Sequence, residues 1–314
     1  MLFLFVATVY GQQAGDFRDE AERGDMTAQF NLALSYYHGW GVDISKEQAL
    51  YWFRKAAEQR LAQAQRYLGL FYFWEQGYER ARYWYHKAAK QGLASAQLSL
   101  AFLYFHGLGV SVSNEWAIYW LRKAAEQGYA SAQNSLASFY FDGVGVDASD
   151  ELAIHWLRKA VEQDFAPAQY ILGRYYLDQL EVGVSEERAF YWFRKAAEQG
   201  YVRAQNNLGL SYHLALDYER AQYWYRKAAE QGHAKAQSNL GLLYHSSLDY
   251  ERARYWFRKA AEQGNVGAQN SLGYTYLHGN GVSVDYIQAA YWLRKAAEQG
   301  NENARALLEK FELK

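Results

Sequence analysis

The chain of 314 residues contains no cysteine and a single proline. Without cysteine there is no disulfide framework, no thiolate nucleophile and no cysteine-ligated zinc. With one proline and half of its residues hydrophobic, the chain is neither disordered nor a proline-rich linker. Net charge is only -1, so no global field attracts nucleic acid or an anionic membrane surface. No apolar run is long enough to span a bilayer. The longest outside the periodic part, MLFLFVATVY at residues 1–10, has the length of a signal-peptide hydrophobic region. Val9, Tyr10 and Gly11 ahead of Gln12 offer small residues at cleavage positions, although the basic leader residues are missing. Residues 1–11 are therefore read as a truncated signal peptide and the protein as secreted or periplasmic. The alternative is an N-terminal helix packed on the next segment of a cytoplasmic protein.

What the chain has in abundance is repetition. The string Trp-x-Arg-Lys-Ala-Ala-Glu-Gln-Gly returns with few changes, its Trp falling at 52, 84, 120, 156, 192, 224, 256 and 292. An Ala-Gln pair opens the following segment at 28, 64, 96, 132, 168, 204, 236 and 268. Both series advance by 36 or 32 residues, the sequence signature of a helical repeat array. The aromatics, 18% of the chain, belong largely to this repetition.

Each unit reads as two helices. In the first, Ala28, Leu32 and Tyr36 and their equivalents are four residues apart and share one face. The residue after the Leu is always Ala or Gly: Ala33, Gly69, Ala101, Ala137, Gly173, Gly209, Gly241 and Gly273. A mid-helix glycine costs about 1 kcal/mol against alanine, so five of them at one position predict a close helix–helix contact there. In the second helix Ala49, Trp52, Phe53 and Ala56 form an apolar stripe. Ser45, Ser113, Ser149, Ser185, Asp217 and Asp249 are N-cap candidates, and glycines such as Gly92, Gly128 and Gly200 end the helices. Pro167 stands where a first turn loses no amide bond. The recurring Lys55 and Glu58 read as a solvated face laced by salt bridges.

Long units carry a glycine turn, as in Gly39-Trp-Gly41-Val42 and Gly107-Leu-Gly109-Val110, with residues 179–184 a degenerate form; three short units turn with four fewer residues. Residues 16–24 align with 52–60 and read as an N-terminal half-repeat cap. Glu309, standing where other units have Gly or Ala, marks a C-terminal cap. The expected fold is all-α: a solenoid of eight helix-turn-helix repeats with half-repeat caps, extending over residues 16–314.

The pattern Ala-Gln-x-x-Leu-Gly-x-x-Tyr, then Gly-x-Gly-Val, then Ala-x-x-Trp-x-x-Lys-Ala-Ala-x-Gln-Gly resembles the Sel-one-like repeat, a relative of the tetratricopeptide repeat, across roughly residues 16 to 311. The short units lack the glycine turn and look closer to tetratricopeptide repeats. The resemblance implies a right-handed α/α superhelix that acts as a non-catalytic scaffold or adaptor, binding a protein or peptide in its concave groove. Family members are often exported bacterial proteins acting in envelope assembly, host interaction or regulation, and one eukaryotic member is an adaptor in membrane-protein degradation. No Asn-x-Ser/Thr site is present to favour a glycosylated luminal adaptor.

Positions that differ between units are free to serve a ligand. In the first helices these follow the Tyr or lie two residues either side of the Leu; by the same resemblance they line the concave face. They include Phe30, Tyr37, His38, Arg66, Phe73, Trp74, Phe102, Phe105, His106, Phe141, Tyr170, Arg174, His213, His245, Tyr274 and His278. The first half of this set is aromatic and the second more polar. Aromatics with scattered Arg suit an apolar or helical peptide. A periplasmic module binding cell-wall glycan or exopolysaccharide is the alternative, and so is plain packing of the inner face.

Motifs for catalysis are sparse. His213 and His245 occupy equivalent places in neighbouring units, about 10 Å apart by helix spacing, without carboxylates to complete a metal site. Gly-x-Ser-x-Gly is absent, and the recurring Gly-x-Gly-Val follows a helix where a phosphate loop would follow a strand. The expectation is no enzyme, no cofactor, no metal, no nucleic acid and no transmembrane span, with a weak hydrolase the remote alternative.

Overall fold

The computed structural model describes residues 14–178 and 184–313, and it divides into two compact units at Asp164 and Phe165. The segment read as a signal peptide and the degenerate turn at 179–183 lie outside the described residues. The first unit contains α1 (Ala14–Glu22), α2 (Met26–His38), α3 (Lys46–Glu58), α4 (Ala62–Trp74), α5 (Tyr78–Lys90), α6 (Ala94–His106), α7 (Asn114–Glu126), α8 (Ala130–Asp142) and α9 (Asp150–Glu162). The second contains α10 (Ala166–Asp178), α11 (Val184–Glu198), α12 (Val202–Leu214), α13 (Tyr218–Glu230), α14 (Ala234–Ser246), α15 (Tyr250–Glu262), α16 (Val266–His278), α17 (Tyr286–Glu298) and α18 (Glu302–Lys310). Among the described residues there is no strand. Within each unit every helix packs against its neighbours in sequence, the stacked-pair arrangement of an α-solenoid.

The seam inside each pair is built on small residues, as the sequence predicts. A methyl group added at Gly209 would lie 2.6 Å from Tyr225 Cδ1; at Gly241, 2.6 Å from Phe257 Cδ1; at Gly173, 2.8 Å from Phe193 Cδ1. The aromatic ring after each of these Trp residues therefore rests directly on the backbone of the first helix. At Ala101 and Ala137 the residue after the Trp is the smaller Leu121 or Leu157, and all four are buried, although Gly273 also faces a leucine, Leu293, and Ala33 belongs to a unit with Phe53.

A second device joins neighbouring repeats. The Gln of each Ala-Gln pair is buried, and Gln65, Gln133 and Gln237, among others, donate from Nε2 to an alanine carbonyl eight residues back, at Ala57, Ala125 and Ala229. Its Oε1 accepts from the Gln that ends the following helix: Gln91 to Gln65, Gln163 to Gln133 and Gln263 to Gln237, each at 2.8 Å. The buried amide is thus satisfied on both sides. At the last helix Arg305 replaces the Gln and still donates to Ala297 O, at 3.3 Å. Among the described residues, the Arg two residues after the Trp donates in four units to the Tyr 18 residues on: Arg54 to Tyr72, Arg122 to Tyr140, Arg226 to Tyr244 and Arg258 to Tyr276.

Ser45, Ser113, Ser149, Asp217 and Asp249 cap their helices. Ser185 does not. It is buried inside α11, which begins at Val184 and carries Glu186 and Glu187 in its first turn, where the helix dipole favours acidic groups. The lysines expected to form salt bridges lie instead over the tyrosine one turn earlier: Lys87 over Tyr83 at 4.5 Å, Lys259 over Tyr255 at 4.9 Å and Lys295 over Tyr291 at 4.7 Å. An i,i+4 ring offers the long lysine stem an apolar surface and its ammonium a π face. The ion pairs among the described residues are exposed Arg pairs, Arg174–Asp178 and Arg194–Glu198 among them.

Candidate functional site

The residues singled out from the sequence sit on the first helix of each repeat. In the first unit they converge. Phe30 on α2 meets Tyr67 on α4 edge-on at 5.5 Å and Phe53 at 5.8 Å. Tyr37 packs edge-on against Tyr67 and against His38, whose ring stacks on Trp40 at 4.4 Å. Burial holds the His38 pKa below its usual value. Arg66 lays its guanidinium over Tyr67 at 5.6 Å and leaves its buried Nε without an acceptor.

A second cluster spans the next three first helices. Phe73 on α4 contacts Phe102 on α6 at 5.9 Å, Phe102 contacts His106 at 4.2 Å, and Phe105 meets Phe139 on α8 at 5.0 Å. Trp74, 71% exposed, packs edge-on against Phe73, and Phe102 is itself 45% exposed. Phe141 is half-buried at the end of α8.

In the second unit the residues are placed in smaller groups. Tyr170 packs on Phe193 and Tyr201, while Arg174 is exposed and paired to Asp178. The two histidines considered for a metal each pack over the tyrosine after their own turn, His213 on Tyr218 at 5.4 Å and His245 on Tyr250 at 5.2 Å. His245 Nε2 is also 3.3 Å from the Asn280 amide. His245 and Tyr274 line one cleft of about 100 Å³ with Asn270, whose buried Oδ1 has no partner. His278 packs against Tyr274 at 4.2 Å and against Phe311. Tyr67, Trp40 and Phe139 complete these clusters and were missed by the reading of variable positions. Phe139 had a signal, because the residue just before the recurring Tyr also changes from unit to unit.

The family model of the Sel1 repeat matches eight consecutive segments: residues 27–61, 62–93, 94–129, 130–165, 166–201, 202–233, 234–265 and 266–301. The chain belongs to the Sel1 repeat family. Among solved structures it is similar to c5321, described as a protective antigen of uropathogenic Escherichia coli strains with an SLR fold, at 38% identity and a TM-score of 0.71 over 97% of this chain and 68% of that one. It is also similar to a Sel1 repeat protein from Oxalobacter formigenes, at 31% identity and a TM-score of 0.67, over 95% of this chain and 89% of that one. No curated protein matches the chain. Sel1 repeats are commonly protein–protein interaction scaffolds, and the fold is of a kind that offers surface area in place of a reaction centre. Among the described residues no helix is long and apolar enough to cross a membrane.

Proposed function

We propose that the protein is a non-catalytic adaptor that binds an apolar or helical protein segment across the first helices of its N-terminal unit. The observation that carries this reading is the aromatic chain Phe73–Phe102–His106 with Trp74 beside it. Packing alone does not account for an indole left 71% exposed next to a phenyl ring left 45% exposed. Exposed aromatic rings ordered by their neighbours are the usual anchors of a peptide interface. Tyr37, 37% exposed and held by His38 and Tyr67, extends the same surface towards α2. We place the protein outside the cytoplasm, a reading supported by its similarity to a chain described as a protective antigen.

The test is a peptide array probed with the full chain, followed by titration of the best ligand into a Trp74→Ala/Phe102→Ala variant. Both side chains are exposed, so thermal unfolding stays within about 1 kcal/mol of wild type, while affinity falls at least about tenfold. Unchanged affinity in the folded variant overturns the assignment.

A further inference from the structure

The repeats act as controls for one another, and three departures from their pattern meet at one place. The position after each Trp-x is Arg in seven units and His86 in the eighth. The Glu of Ala-Ala-Glu-Gln becomes Lys90 in that same unit alone. The next second helix then places Trp116 where other units have Gln48, Arg80, Leu152 or Arg188. All three line one cleft of about 730 Å³ between α5 and α7, together with Tyr119, Trp120 and Lys123. This lies apart from the first-helix face discussed above and does not depend on that reading.

The changes are mutually consistent. With His86 in place of Arg, the bond that Arg54, Arg122, Arg226 and Arg258 make to the Tyr 18 residues on has no counterpart here, and Tyr104 stacks on Trp116, 6.1 Å apart with planes 27° from parallel. His86 packs edge-on against Trp120 at 6.1 Å, and burial, then Lys90 and Arg82, hold its pKa below the usual value. Trp120 has a buried Nε1–H without an acceptor in the protein. Trp116 is 50% exposed and Tyr119 44%, their rings 5.4 Å apart and nearly perpendicular, with Lys123 over the Tyr119 ring at 5.3 Å.

From this we infer that the cleft is a binding site for a carboxylated sugar, within an acidic oligosaccharide. Two ammonium groups against one lining carboxylate, Glu126, leave a single positive charge, which suits a uronate carboxylate better than a doubly charged phosphate. The perpendicular rings make no parallel slot for a nucleobase. Both rings are half exposed on the cleft wall, where the C–H face of a pyranose can meet them, and the carboxylate and amide of Glu126 and Gln127 are at hand for hydroxyls. The volume lies within the range of small-ligand sites.

Calorimetry of the full chain with trigalacturonic acid and with its fully methyl-esterified form tests this. The acid is expected to saturate one site and the ester to bind at least about tenfold more weakly, the loss of one ion pair at a partly desolvated site. Lys90→Glu and Trp116→Gln each install a residue that other units carry at that position, so the fold has already accepted them; each should weaken binding about tenfold or more. The inference is overturned by no saturable binding of the acid, by equal binding to both variants, or by tighter binding of adenosine monophosphate or an oligoglutamate peptide.

Discussion

Replacing Gly209 by alanine sets two opposed effects against each other, and the structure says which prevails. In an unhindered helix the change would stabilise by about 1 kcal/mol, because glycine is the poorer helix former. Here the new methyl would lie 2.6, 2.9 and 3.1 Å from Tyr225 Cδ1, Cε1 and Cγ, where ordinary contact begins at 3.4 Å. The ring must retreat by nearly 1 Å, yet Tyr225 is fully buried in a core formed with Leu240, Tyr244 and Phe257. Overpacking of this kind costs about 1–3 kcal/mol, and three clashing ring atoms put it at the upper end. The net expectation is a loss of about 1–2 kcal/mol in urea unfolding followed by circular dichroism, at unchanged m-value. Tyr225→Leu alone leaves a void and costs about 1–3 kcal/mol. The double variant rebuilds the Ala–Leu pairing of Ala101 with Leu121, so its loss should fall short of the sum by at least about 1 kcal/mol. Gly209→Ala as stable as wild type, or strict additivity of the two changes, refutes the argument that the glycine exists to admit the ring.

Other expectations concern single positions. Arg60 adopts φ 73° where most units end this helix with glycine, so Arg60→Gly should stabilise by about 0.5–1 kcal/mol, seen as a raised thermal midpoint; no rise counts against left-handed strain. Gln133→Ala strands the buried Ala125 carbonyl and should cost about 2–3 kcal/mol, whereas Gln163→Ala, which removes the exposed donor to Gln133 Oε1 and lets water take its place, should cost under about 1 kcal/mol. Equal costs would dissolve the ladder argument. Burial raises the Tyr225 phenol to about 12. The folded state therefore holds this proton more tightly than the unfolded chain, and the stability it contributes is complete below pH 10 and lost as pH rises from 10 to 12. Denaturant titrations across that window should fall by up to about 1.4 kcal/mol per pH unit from this group, and Tyr225→Phe should flatten the slope.

The period of 36 or 32 residues marked an all-α repeat chain and its small-residue seam, and the recurring Ala-Gln and Lys-Ala-Ala motifs carried its resemblance to the Sel1 repeat, which the family model matches eight times. Those features rest on local contacts, three or four residues apart, or on one position repeated in every unit, so a single string of letters displays them. The caps show where local reading ends, since Ser185 has the right spacing but lies inside a helix that starts early. The lysines likewise chose the tyrosine one turn back over a glutamate on the same face. Only the tertiary structure decided which variable residues come together: Phe73 against Phe102, Phe105 against Phe139, and His86, Lys90 and Trp116 on the wall of one cleft. The same holds for the glutamine ladder, whose partners are 26 or 30 residues apart. Such contacts depend on how far one helix pair is rotated and displaced against the next, and that rotation arises from the summed packing of many buried side chains. The repeat period is compatible with more than one value of it, so periodicity names the face a residue belongs to while the stacking of neighbours selects what it touches.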